Sequence, residues 1–145
     1  MPRVDRYYLE TRPEDPAARN RFVCRLVEKA VHQGYRLVLQ VRDAAEAEAF
    51  DQMLWTFRDR SFIPHGRDRN PRAPVWISLG EGDPETYPLL IQIDPDHPDP
   101  QWERYDRIAE ITNPAQRDSA AGREREAAYR KAGFDFHEHD PKTAE

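Results

Sequence analysis

Two strand–helix pairs in succession constrain this chain more than any single motif. Arg3 to Leu9 (RVDRYYL) alternates loosely, which suits a first strand. Asp15-Pro16 then predicts a helix start: an acceptor side chain at the cap, followed by a proline where a missing N–H costs nothing. Phe22, Val23, Leu26, Val27, Ala30 and Val31 recur at helical spacing, and Gly34 ends the run as a left-handed residue. Tyr35 to Val41 (YRLVLQV) reads as a strand covered on both faces. Asp43 caps a second helix from Ala44 to about Arg58, with Ala47, Phe50, Met53, Leu54 and Phe57 as its apolar stripe. Such a β-α-β-α order implies an α/β unit with a parallel core.

The later chain continues the pattern. Val75 to Leu79 and Leu89 to Ile93 read as strands around a Gly/Pro turn at Glu81 to Pro88. Asp94 to Pro100 (DPDHPDP) has too many prolines for regular structure. Tyr105 to Thr112 predicts the last strand, and Asn113-Pro114 starts one C-terminal helix that runs to about Ala132 and stops at Gly133. Phe134 to His137 is expected to pack back or add a short strand. Residues 1–140 form one domain in this reading, and residues 141–145 a fraying tail.

The chain has 145 residues, enough for one domain. Its net charge of −5 disfavours bulk duplex binding, while leaving room for a local basic patch. The single cysteine, Cys24, allows neither an internal disulfide nor a cysteine zinc cluster. No segment is long and apolar enough for a membrane span, and a cytoplasmic location is expected.

Chemistry-bearing motifs are scarce. The first strand-to-helix connection has no glycine, and neither G-x-G-x-x-G nor G-x-x-x-x-G-K-[ST] occurs, so a phosphate cradle is missing. Asp15 and Asp43 at the helix starts would repel a phosphate. His137 and His139 share a face of an extended segment but need a further ligand to hold a metal. His65 and His97 lie in proline-rich loops with no second ligand at helical spacing. Cys24 sits beside an apolar helical face, where cysteine is usually a small core residue. Asp94 and Asp96 have no partner to split their titrations. No active site and no cofactor emerge.

Two features are more informative. Met53, Leu54, Trp55 and Phe57 cover more than one helical face and cannot all point inward. Phe62 and Ile63 follow directly, before Pro64, His65 and Gly66. This surplus of rings suggests a protein contact surface. The competing reading folds Trp55 and Phe62 back onto the core. The second feature is a positive surplus on the C-terminal helix. Arg117, Arg123, Arg125, Arg130 and Lys131 stand there against Asp118, Glu124 and Glu126. Arg123 and Arg130 are seven residues apart and lie near one face, with Glu126 between them and Ser119 one turn before, so the pair can grip a carboxylate or phosphate. A solvated helix laced with ion pairs is the commoner cause of such a pattern. The segment Phe57 to Arg72 is also basic and reads as a mobile loop.

These stretches carry a family resemblance. Leu54-Trp55 with Ser61-Phe62-Ile63-Pro64-His65, and Arg123-Glu124-Arg125 with Tyr129-Arg130 and Ala132-Gly133-Phe134, resemble the chi subunit of bacterial DNA polymerase III. Cys24, Ala73-Pro74-Val75 and the strand Leu89 to Ile93 fall in the same order, from about Tyr7 to His137. The resemblance implies a Rossmann-like three-layer α/β fold, with a mostly parallel central sheet, helices on both faces and no nucleotide chemistry. It implies a non-catalytic accessory subunit. That subunit links the clamp loader, through the psi subunit, to the acidic C-terminal tail of single-stranded-DNA-binding protein. The psi contact would fall on Trp55, Phe62 and Pro64, with Leu54 and His65 beside them. The tail contact would fall on Arg123, which matches the arginine for the terminal carboxylate, with Ser119, Glu126 and Arg130 around it. Ser119 and Ala127 stand where the family has lysines, and Glu126 where it has a tyrosine. An acid beside a site for an acidic peptide weakens it, and Arg117 and Arg130 compensate. The alternative is a small nucleotide-binding or enzymatic domain of doubly wound α/β type.

Overall fold

A computed structural model describes residues 2–10, 16–56 and 63–140. Among them, seven strands form one sheet: β1 (Arg3–Tyr8), β2 (Leu37–Gln40), β3 (His65–Gly66), β4 (Val75–Ser78), β5 (Leu89–Gln92), β6 (Arg107–Thr112) and β7 (Asp135–His139). Their order is β3-β4-β2-β5-β6-β1-β7, and every pairing is parallel. The helices are α1 (Ala17–His32), α2 (Ala44–Thr56), α3 (Pro114–Asp118) and α4 (Ala120–Lys131), with a 3-10 turn at Trp102–Arg104. Two cores sandwich the sheet. Leu37, Leu39, Ile77, Leu89, Ile91 and Ile111 pack under α1 and α2, and Val4, Val38, Leu90 and Ile108 pack under Tyr105 and α4. This is the three-layer α/β architecture, with a sheet that is wholly rather than mostly parallel.

Local chemistry explains most boundaries. Gly34 and Gly133 have φ of 89° and 91°, the left-handed stop that both helix ends require. Asp43 Oδ1 accepts from the Glu46 amide at 2.9 Å and caps α2. Pro16 is the cap residue of α1 rather than its first helical residue, and the expected cap Asp15 lies outside the described residues. Cys24 is a core residue, and burial pushes its thiol up to about 11.

Four expectations change. Arg107 rather than Tyr105 begins β6, and Tyr105 instead donates its hydroxyl to the buried Asp99 at 2.9 Å. β6 is not the last strand, because Asp135–His139 pairs with the outer edge of β1. His65 and Gly66 leave the loop to pair with β4. The single C-terminal helix is two. Ser119 is extended (φ −72°, ψ 162°), and its hydroxyl accepts from the Gly122 amide at 3.0 Å to start α4 afresh.

The break at Ser119 depends on Gly122. A Cβ there would lie 2.2 Å from the Gln116 carbonyl oxygen and 2.6 Å from that of Arg117. Both are backbone, so neither can swing away. Gly122→Ala is expected to destabilise the protein by about 1–3 kcal/mol, read as a lower urea midpoint. An unchanged midpoint would show that the α3–α4 corner is loose.

A polar row crosses the second face. Glu138, Arg6, Glu110, Gln92, Gln40 and Ser78 occupy matched register positions on β7, β1, β6, β5, β2 and β4. Two residues earlier the same strands carry Phe136, Val4, Ile108, Leu90, Val38 and Trp76. Arg6, Glu110, Gln92, Gln40 and Ser78 are buried. Their side chains hold what lies above: Gln92 Oε1 accepts from the Asp99 amide at 2.9 Å, and Ser78 Oγ donates to the Glu81 carbonyl at 3.2 Å. Glu110 accepts from Arg6 Nε, from Arg125 Nε at 2.9 Å and from the Tyr129 hydroxyl at 2.9 Å. Burial, and then the neighbouring Glu110 carboxylate, hold the Tyr129 hydroxyl well above its ordinary range, so it stays a donor. Glu110 therefore fastens α4 to the sheet.

Candidate protein-docking site

The first candidate surface is the C-terminal end of α2. Helical spacing turns Ala47, Phe50 and Leu54 into the core, and all three are buried. Leu54 is thus a core residue and not part of the surface. Trp55, one position on, is 58% exposed, which excludes its folding back onto the core. Its indole meets the His65 ring edge-on at 5.5 Å. The His65 side chain is wholly buried, with Nε2 2.7 Å from Asp51 Oδ1 and Nδ1 2.7 Å from the Ile63 carbonyl. His65 therefore supports Trp55 from below, with its side chain covered. Pro64 is exposed beside it, and Ile63 is buried. Phe57 and Phe62 lie outside the described residues.

The second candidate surface is the face of α4 next to β7. Ser119 is occupied by capping: besides accepting from Gly122, its hydroxyl donates to the Gln116 carbonyl at 2.7 Å. Arg123 Nη1 donates to the Asp118 carbonyl at 2.6 Å, which seats its guanidinium at the α3–α4 corner. Arg117 pairs with Asp118 at 2.9 Å and lies over the Tyr8 ring at 4.1 Å. Arg130 pairs with Glu126 at 3.2 Å and lies over Phe136 at 5.1 Å. The structure thus brings Arg117, Arg123, Glu126 and Arg130 onto the surface between α3, α4 and β7. The extra arginine that sequence reasoning missed is Arg6. It is buried beneath this surface, over Phe136 at 5.0 Å and 3.6 Å from Glu138. An arginine inside a short strand that already carries Arg3 and Asp5 gives no sequence signal, because its partner Glu110 is more than a hundred residues away.

The profile described as "DNA polymerase III chi subunit, HolC" matches residues 1–137. The DNA polymerase III subunit chi of Pseudomonas aeruginosa is 36% identical over 142 residues, covering 96% of each chain. The chain belongs to the DNA polymerase III chi subunit family. A protein of Rickettsia prowazekii named as a probable DNA polymerase III subunit chi is 29% identical over 76 residues, 50% of this chain and 46% of that protein.

In this chi-family fold the usual ligand position of an open α/β sheet, outside the carboxyl ends of the strands, is a crevice of about 160 Å³. A more open hollow of about 330 Å³ adjoins it across Arg42 and Asp94, between Leu79 and His97. The crevice's polar lining is mixed in charge: Arg19, Arg42, Glu46, Asp94, Asn113 and Gln116. Arg19 is already paired with Glu46 at 2.9 Å. Asp94 and Asp96 are not a catalytic pair. Asp94 meets His97 at 3.0 Å and Asp96 meets Arg125 at 2.8 Å. His137 meets Asp135 at 2.8 Å, while His139 meets Asp5 at 2.7 Å and stacks on Tyr7. Among the described residues no three metal-ligating side chains gather, and no helix is long and apolar enough to cross a membrane. Of the basic segment, residues 57–62 lie outside the described residues, and Arg69 and Asn70 are tied to the turn before β5. Arg69 pairs with Asp83 at 2.7 Å, the Asn70 amide donates to the Tyr87 hydroxyl at 3.2 Å, and Arg36 donates to the Ala73 carbonyl at 3.2 Å.

Proposed function

We propose that this chi subunit is a docking protein with no active site of its own, joining two partners through two separate faces. The end of α2 binds the psi subunit through Trp55, Phe62 and Pro64. The α4–β7 face takes the acidic C-terminal tail of single-stranded-DNA-binding protein, so contact with DNA is indirect. The observation that carries this reading is the exposure of Trp55, a large ring that meets the buried His65 side chain, itself held by Asp51. Exposed aromatics of this kind anchor interfaces. Co-expression with the psi protein of the same source is expected to yield a stable complex by size exclusion. Separate elution of the two proteins would remove the psi role.

The tail role rests on Arg123, which matches the arginine for the terminal carboxylate and is fixed at a helix corner. Arg123→Ala is expected to weaken binding of a labelled acidic tail peptide roughly tenfold, the loss of one charge-assisted pair. Amidating the peptide's last carboxylate should cost wild type about as much and the variant little, because the two changes remove the same contact. Additive losses, measured by fluorescence anisotropy, would place the carboxylate elsewhere.

A further inference from the structure

The α4–β7 face carries its own carboxylate where an acidic ligand would bind. Glu126 Oε2 sits 3.2 Å from Arg130 Nε, and its Oε1 lies 3.9 Å from Arg6 Nη1. Arg6 is not an ordinary surface cation. It belongs to the buried group Arg6, Glu110 and Arg125, two positive charges against one negative. The excess is balanced from the rim, by Glu126 and Glu138 on this face and by Asp96 on the far side of α4. Glu126 is half-exposed and sits on the α4 flank that also presents Arg123, three residues earlier, and Arg130, four residues later. The cations of this face are Arg117, Arg123 and Arg130 with Arg6 beneath, and the acids are Asp118, Glu126 and Glu138. Asp118 is committed to Arg117, which leaves Glu126 as the acid that holds Arg130.

We propose that Glu126 is an internal competitor for the acidic peptide: its carboxylate occupies Arg130 in the free protein and must be displaced when the peptide's carboxylates arrive. The proposal rests on the tail-binding reading above and deepens it. Binding costs the broken Glu126–Arg130 pair plus the repulsion between Glu126 and the incoming acid. Exposed pairs and rim charges of this kind are each worth only a modest factor. The face is therefore tuned to weak, rapidly reversible capture, and one residue sets the level.

The test uses the full chain and a labelled peptide of aspartates followed by apolar residues, with a free terminal carboxylate. Glu126→Gln keeps the shape and removes the charge. It should tighten binding roughly three- to tenfold. Glu124→Gln makes the same change in net charge on the other side of α4, where Glu124 lines a groove with Pro95 and Pro98, and should leave affinity unchanged. Saturable binding only by Glu126→Gln would also support the proposal, with wild type fully masked. Equal or weaker binding by Glu126→Gln, or equal tightening by Glu124→Gln, would overturn it while leaving the tail site in place. No saturable binding by wild type or by Glu126→Gln would sink the tail reading itself, and the proposal with it.

Discussion

Trp55→Ala is expected to weaken psi binding by roughly 30- to 1,000-fold, the range for an aromatic anchor at the centre of an interface. The isolated chain should lose less than about 1 kcal/mol, because the indole is more than half exposed. The two measurements separate the alternatives. Titration calorimetry against psi reports the interface, and a urea transition of the chain alone reports the fold. A large drop in the urea midpoint with psi still tightly bound would make Trp55 a structural ring and remove the docking reading. Leu79→Ala is a suitable control. Leu79 is also strongly exposed but follows the carboxyl end of β4, whereas α2 runs back toward the start of β3. Its loss should leave psi binding intact.

Glu110→Ala is expected to destabilise the protein by about 3–5 kcal/mol, a large fraction of the stability of a domain this size. The carboxylate is fully buried and receives Arg6, Arg125 and Tyr129. Its removal takes the one buried acceptor from two guanidinium groups and a hydroxyl, leaving only the partly exposed rim acids Glu126, Glu138 and Asp96 to offset the arginines. Most of the loss is the cost of buried charge that the rim offsets only in part. Replacing the pair together, as Arg6→Met with Glu110→Leu, should therefore be milder than Glu110→Ala alone. A loss below about 1 kcal/mol for Glu110→Ala would mean that water enters the layer and screens the arginines. Because Tyr129 and Arg125 tie α4 down through Glu110, tail-peptide binding should fall with stability, while psi binding at the far edge of the sheet should persist in the folded fraction.

What the sequence discloses follows from how local each signal is. The strands around Leu39, Ile77 and Ile91 and the helices before Gly34 and after Asp43 are legible because period, cap and stop fall within one segment. The family likeness at Leu54-Trp55 and Arg123-Glu124-Arg125 is legible for the same reason, and the profile match bears it out. Sorting the α2 residues needs the third dimension. Leu54 and Trp55 are neighbours in sequence, yet one is core and the other surface, and His65 looks like a loop residue until its ring is seen buried against Asp51. The break at Ser119 was hidden inside a continuous helical pattern. Serine is neutral in helices, and only the close approach of Gly122 to α3 favours a cap there. Strand order and the Arg6–Glu110 pairing are long-range facts with no local trace.

The row from Glu138 to Ser78 bears on how the sheet is assembled. In a parallel sheet each strand arrives separately, after a long crossover, and aliphatic runs such as LVL and LLI could align in several ways. A strand entering one residue out of step would send its amide or charge into the aliphatic layer beneath α1 and α2. Two residues out of step, Gln40 would face Leu90 and Glu110 would lose Arg6. Wrong alignments are thus penalised chemically at every seam, so mispaired intermediates should dissolve before the helices close over them.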